Sequence, residues 1–582
     1  MKNLKFILLL LFFASLLITS CETNDDTFIP EENSNTTINY DFGTTVSRDF
    51  IGQVIDENED PIQNVMVNIG SSTAQTDANG VFIIKNASVK SKFAYVTATK
   101  AGYLKGSRTV IPTSGENNIK IMLLSATVIG TVNSGTTGNV TLPNGTKVDF
   151  DGNFKKEDGS SYSGSVSVIL HHLDPSDENV EAKMPGSLLA SDNNGQARIL
   201  ETFGMINVEL QGSGGEKLQL SGTASIELPI DPAQSASSPT TIPLWHFDET
   251  AGYWVEEGTA TKVGNKYVGT VSHFSWWNCD AQFPTVSLCL TVVNPNNEPI
   301  ANVHVELVPN NQTYPRTGIS DNNGEICGLI PANQTLTMNV LDNCGNIITT
   351  SQIGPFSAAT VLPDVVLTAG MVQQTTVLGT LAQCNNSNVT DGYVLLKYGN
   401  QTLLSNVTNG SFNFNTLVCS ANDTFTLEGY DYTNLQTTGV INYTFTTPIT
   451  TIGNLLTCST VTEYVTYQID NNPVEYLIGS ISAGYSQNTL YVSLQGNGTT
   501  NGSFYLWGNT NIPGIYTTST FQMEGGAFNY ISQQTTNSVS FNFTNFGVVG
   551  DYIDMTFSGT YEDPNTNVSH TITGVIHVIR DN

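Results

Sequence analysis

Residues 52–69 read Gly-Gln-Val-Ile-Asp-Glu-Asn-Glu-Asp-Pro-Ile-Gln-Asn-Val-Met-Val-Asn-Ile, and residues 290–307 read Leu-Thr-Val-Val-Asn-Pro-Asn-Asn-Glu-Pro-Ile-Ala-Asn-Val-His-Val-Glu-Leu. Both run strand, Asn/Asp-rich turn, Pro-Ile, alternating strand. The period of two in Val65-Met66-Val67-Asn68-Ile69 and in Val303-His304-Val305-Glu306-Leu307 sends one set of side chains to a core and the other outward. A second signature follows each copy: Thr76-Asp77-Ala78-Asn79-Gly80-Val81-Phe82 after the first, Ser320-Asp321-Asn322-Asn323-Gly324 after the second. Asp and Asn cap their own backbone in tight turns, and Gly supplies the positive φ that a bulged hairpin needs. Beyond the N-terminal apolar run no window shows helical spacing, so the expected fold class is all-β, with tandem β-sandwich domains in a chain of 582 residues.

The two signatures together resemble the carboxypeptidase regulatory-like domain, a transthyretin-like (immunoglobulin-like) β-sandwich, over 47–124 and 283–370. A degenerate copy is expected at 371–458. There Gly379-Thr380-Leu381 leads to Asn385-Asn386-Ser387-Asn388-Val389, and Thr408-Asn409-Gly410-Ser411-Phe412 stands where the Asp-x-x-Gly turn was. Residues 125–282 carry Met184-Pro185-Gly186, Phe203-Gly204-Met205, Ile242-Pro243-Leu244-Trp245, Gly252-Tyr253-Trp254 and Ser272-His273-Phe274-Ser275-Trp276-Trp277-Asn278. In that order they resemble the β-rich module of cartilage intermediate layer protein and its relatives. Residues 459–582 are β in pattern and resemble no functional family. The resemblance implies accessory sandwiches without catalytic residues of their own.

The N-terminus carries an address. Lys2 and Lys5 precede the apolar run Phe6–Leu17, a signal-peptide core too short to span a bilayer comfortably. Ile18-Thr19-Ser20-Cys21 resembles a bacterial lipobox, which makes 1–20 a signal peptide and Cys21 the lipidated residue. Glu22, Asp25 and Asp26 resemble the surface-export signal of some lipoproteins, and 21–46 reads as a polar, acidic tether. The expectation is a protein held by its lipid on the cell outer membrane, displayed at the surface as the first reading and retained on the periplasmic side as the second, with a glycan or protein ligand. Lys+Arg number 21 against Asp+Glu 51, a net charge of −30, so a phosphate backbone is repelled and nucleic acid is excluded as a partner.

Candidate chemistry is sparse. His246-Phe247-Asp248-Glu249 formally satisfies the His-x-x-Glu of zinc carboxypeptidases but lacks their α/β surroundings, and the seven histidines are scattered in sequence, so neither a metal set nor a cofactor is expected. Trp245, Trp254, Trp276 and Trp277 fall in one stretch, either as a sandwich core or as sugar-stacking faces. Adjacent residues on a strand point to opposite faces, so one of Trp276 and Trp277 is the candidate carbohydrate contact. Asp77 and Asn79, Asp192 and Asn194, and Asp321 and Asn323 offer oxygens as Ca²⁺ loops do, but hairpin turn chemistry explains them without a metal. Apart from Cys21, the cysteines lie between 279 and 458 with no Cys-x-x-Cys pair, which points to local disulfides. Cys327–Cys344 and Cys384–Cys458 are candidate pairs with the connectivity open, and one thiol is left over. The reading is a non-catalytic surface scaffold or adhesin-like protein. Its alternatives are a carbohydrate-binding accessory lipoprotein of a glycan-uptake system, or a hydrolase whose site is not recognisable.

Overall fold

The computed structural model describes residues 38–582 apart from 369–372, 384–385, 400, 421–422, 435, 461–463, 471, 473–474, 478–480, 495–502, 527 and 564–565. The signal segment, Cys21 and the acidic residues Glu22, Asp25 and Asp26 therefore lie outside the described residues. The chain is all-β, and among the described residues the helices are single turns such as Val180–Lys183. Among the described residues no helix is long and apolar enough to cross a membrane.

Three units share one strand plan. In the first, Thr45–Ile55 lies between antiparallel Val81–Lys90 and parallel Glu116–Met122, and the facing sheet runs Ser72–Gln75, Met66–Ile69, Ala94–Thr99, Gly106–Val110. In the third, the second half of Trp276–Val293 pairs antiparallel with Glu325–Pro331 and parallel with Thr360–Val361, opposite a sheet containing His304–Pro309 and Leu336–Leu341. In the fourth, Gln373–Gln383 lies between antiparallel Ser411–Val418 and parallel Ile449–Thr457.

The paired signatures of the sequence are one local device. In the first unit Val54 donates its N–H to the Gly80 carbonyl, and Ile62 donates to the Val54 carbonyl, at 2.8 and 2.9 Å. Val292, Gly324 and Ile300 repeat this at 2.8 and 2.9 Å, and Leu381, Gly410 and Val389 at 2.6 and 3.1 Å. Gly80 has φ +69°, and a Cβ there would sit 2.3 Å from the Val54 oxygen. Gly324 has φ +73°, and its Cβ would meet the Val292 oxygen at 2.5 Å. Glycine is thus required twice over, by conformation and by the close approach of backbone.

The second unit holds two apolar layers. One contains Val166, Val168, Phe203, Ile206, Leu244, Tyr267 and Trp277. The other contains Ile169, Leu200, Met205, Trp245, Phe247, Trp254 and Trp276, and is completed by Leu104 and Leu124 at the edge of the first unit. Trp276–Val293 runs unbroken from the second unit into the third, pairing first with Ala197–Gln211 and then with Glu325–Pro331. The expected boundary at 282/283 therefore falls inside one continuous strand. The end of the expected tether is also structured: Ile38 is buried, and Asn39 donates to the Gly195 carbonyl at 2.6 Å. The fifth unit packs two antiparallel sheets around Tyr467, Phe504, Phe521, Phe541, Phe557 and Ile576.

Candidate functional site

The Asp-x-x-Gly turns are where the units meet. Oδ1 of Asp77 accepts from the backbone N–H groups of Asn79 and Val81, both at 2.9 Å, which builds the turn and leaves Oδ2 pointing away from it. Oδ2 accepts the Tyr393 hydroxyl at 2.7 Å and the Tyr432 hydroxyl at 3.1 Å, both from the fourth unit. Tyr393 is fully buried and stacks on Tyr430 with ring centroids 5.1 Å apart. Loss of solvent around this carboxylate pushes its pKa up to about 6 against the opposing pull of those hydrogen bonds, and the two buried phenols are pushed well above their ordinary value.

Asp321 repeats the division of labour. Oδ1 accepts from Asn323 and Glu325 at 2.8 and 2.9 Å, while Oδ2 accepts from the Thr113 hydroxyl at 2.6 Å and the Gly115 N–H at 3.0 Å in the first unit. Glu325 adds bonds from the Ser114 N–H and hydroxyl, and a Cβ on Gly115 would lie 2.2 Å from the Asp321 carboxylate. In the second unit Asp192 turns its Oδ2 to Arg198 instead, at 2.9 Å from Nε. In all three turns both carboxylate oxygens face N–H or O–H donors, which is turn and clasp chemistry rather than calcium ligation.

Further contacts seal the same block. Arg316 of the third unit donates to the Leu200 carbonyl of the second at 2.8 Å. Beside it burial raises Glu201 to about 7 and holds Asp280 well above the carboxylate range. Glu181 accepts from Arg108 of the first unit and from Thr317 of the third, at 3.2 and 2.7 Å. Glu116 of the first unit, raised to about 7 by burial, accepts from Asn406 of the fourth.

The disulfides correct the expected pairing. Cys327 is bonded to Cys289, its direct cross-strand partner, and Cys344 is bonded to Cys419, so the Cys327–Cys344 pair does not form. The second bond staples the third unit to the fourth, beside Asn343, which donates to the Thr416 hydroxyl at 2.6 Å and to the Leu417 carbonyl at 2.9 Å. Cys458 is disulfide-bonded, and Cys384 lies outside the described residues. Among the described residues Cys279 is the free thiol, buried in the second unit with its pKa pushed up by burial.

The tryptophans are a second correction. Trp276 and Trp277 do point to opposite faces, but each face is covered, so Trp245, Trp254, Trp276 and Trp277 are all buried. The indole N–H groups of Trp245, Trp254 and Trp277 go to the carbonyls of Asp280, Ser187 and His273 at 3.1, 2.8 and 3.0 Å. None presents a face for a sugar, because the first unit closes the layer that an isolated sandwich would expose.

His246 and Glu249 do not form a pair of ligands. Glu249 sits beyond the strand end, where its carbonyl accepts from the Tyr95 hydroxyl of the first unit at 3.0 Å. His246 faces inward to Glu257 and His273, at 3.1 Å from Nδ1 to the Glu257 carboxylate. These two histidines, distant in sequence, are brought together on Glu257 by strand pairing. Sequence reasoning also missed Tyr393, Tyr432, Thr113 and Ser114. The one available signal was the spare oxygen that any Asp-x-x-Gly turn leaves unused.

No family model matches the chain. Cartilage intermediate layer protein 2 of Homo sapiens is 29% identical over 129 residues, covering 22% of this chain and 10% of that protein. Its Mus musculus counterpart is 28% identical over 127 residues, with the same coverage. The chain thus spans about a tenth of the length of these curated relatives. Among solved structures, a Streptococcal ancillary pilin is similar at 11% identity, covering 39% of this chain and 98% of its own, with a TM-score of 0.13. BcpA, the major pilin subunit of Bacillus cereus, is similar at 11% identity over 56% of this chain and 99% of its own, with a TM-score of 0.12. TM-scores this low carry no argument about function, which rests instead on the chain's own geometry.

Proposed function

We propose that the chain is a non-catalytic, lipid-anchored cell-surface scaffold, adhesin-like in design, in which the first four units form one rigid body that holds the fifth. The observation that carries this reading is the set of clasps: Asp77 on Tyr393 and Tyr432, Asp321 on Thr113 and Gly115, and the Cys344–Cys419 bond between units. Polar atoms committed to inter-unit contacts serve stiffness rather than turnover, and their loss leaves buried groups unsatisfied. The lipobox at Cys21 and the acidic residues Glu22, Asp25 and Asp26 support attachment to the outer face of the outer membrane, with the membrane as one partner and a surface ligand as the other. The carbohydrate-binding alternative loses its motivating residues to the core, and the hydrolase alternative loses its His246–Glu249 pair, because Glu249 lies beyond the strand end beside Lys105 while His246 faces Glu257.

The test is protease shaving of intact cells. The wild type is expected to be cleaved, and a variant with Glu22, Asp25 and Asp26 neutralised is expected to be protected. Cys21→Ala is expected to release the protein from the membrane fraction. A protected wild type would overturn surface display.

A further inference from the structure

We propose that His246, Glu257 and His273 form a binding site for a divalent transition-metal ion, with Zn²⁺ the best chemical fit. Nδ1 of His246 and Nε2 of His273 each lie 3.1 Å from the same oxygen, Oε2 of Glu257, and the three ligand atoms all lie within 4.8 Å of one another. Nitrogen and oxygen ligands held about 2.0–2.2 Å from a tetrahedral zinc are separated from each other by about 3.3–3.5 Å. The two N···O separations of 3.1 Å are close to that, and the two nitrogens lie within 4.8 Å of each other, so an ion that enters draws the imidazoles in around the carboxylate.

The three ligands come from separate segments that the sheet fixes. His246 is on Thr241–Asp248, Glu257 on the adjacent Tyr253–Val263, and His273 in the turn before Trp276–Val293. The first two strands pair antiparallel, with His246 opposite Val255 and Trp245 opposite Glu256, and Glu257 follows at the register shift between Pro243 and Trp245. The Ser272 hydroxyl donates to Oε1 of Glu257 at 3.0 Å, which orients the carboxylate and leaves Oε2 to the histidines, as outer hydrogen bonds do around metal ligands. Trp277 backs both rings, with centroids 5.7 Å from His246 and 5.0 Å from His273. The His246 side chain is 2% exposed and that of Glu257 40%, so the cluster is closed on its inner side and open at the carboxylate, where a fourth ligand such as water fits. Two imidazoles and one carboxylate favour zinc and its first-row neighbours over calcium and magnesium, which take oxygen ligands.

The experiment is calorimetric titration of the chelator-treated full chain in detergent with ZnCl₂, followed by zinc-edge X-ray absorption. One equivalent is expected to bind with a dissociation constant below about 1 μM, and the absorption fine structure is expected to show two imidazoles in the first shell. Glu257→Gln and His273→Gln, at partly exposed positions that spare the buried His246, are each expected to weaken binding at least 100-fold while the circular dichroism stays native. Equal zinc uptake by wild type and the folded double variant, or no uptake by either, would overturn the site and leave a hydrogen-bonded trio.

Discussion

The Tyr393 hydroxyl donates at 2.7 Å to Oδ2 of Asp77, across 316 residues of chain. The second oxygen of a turn-building aspartate thereby becomes the contact between the first unit and the fourth. Asp321 does the same between the third unit and the first.

Removing either side of the Asp77 clasp costs a hydrogen bond to a charged group. Tyr393→Phe is expected to lower stability by about 1.5–3 kcal/mol. Hydrogen exchange is expected to accelerate in Gly392–Tyr398 and in the turn at 77–81. A double-mutant cycle with Asp77→Asn is expected to return a coupling above about 0.5 kcal/mol, and strict additivity would show that the two residues do not interact.

The pH dependence has a defined sign. Burial raises Asp77 to about 6, and Glu116 and Glu201 to about 7, above their unfolded values. The folded chain therefore holds these protons more tightly than the unfolded chain. Their contribution is full below about pH 4 and is lost as pH rises through 6 and 7. For Asp77 alone the change is on the order of 2–3 kcal/mol. Unfolding temperatures are expected to fall between pH 5 and pH 8, and the triple variant Asp77→Asn, Glu116→Gln, Glu201→Gln is expected to flatten that slope.

Peptide mapping under non-reducing conditions is expected to recover Cys289 linked to Cys327 and Cys344 linked to Cys419, with Cys279 alkylated only after denaturation. The Cys344–Cys419 loop closes a separation of 75 residues, so replacing both by Ser is expected to cost roughly 4 kcal/mol by the chain-entropy estimate.

Trp277 is in the core of the second unit, and Trp277→Ala is expected to cost about 3–5 kcal/mol in stability. A well-folded Trp277→Ala protein of unchanged stability would contradict the packing.

The strand plan was legible because the Pro-Ile turn and the Asp-x-x-Gly turn fix local backbone, and local backbone is what short motifs encode. Even the fourth unit, which lacks that aspartate, keeps the Gly410 carbonyl in the same bond to Leu381. The clasps were not legible, since Tyr393 alternates like any strand residue and its partner is set by how whole units dock. The same limit explains the tryptophans: alternation placed Trp276 and Trp277 on opposite faces correctly, but only Leu104 and Leu124 reveal that the outer face is covered. Disulfide partners, too, depend on cross-strand register and on docking, neither of which cysteine spacing contains.

The first and fourth units are locked together by the Asp77 clasp. Spin labels at Ser88→Cys in the first unit and Lys397→Cys in the fourth, both exposed on regular strands, report it by pulsed dipolar spectroscopy. A single narrow distance is expected in the otherwise wild-type chain, broadening when Asp77→Asn and Tyr393→Phe are added. A broad distribution in the otherwise wild-type chain would show flexibly joined units and rule out the clasp as a lock.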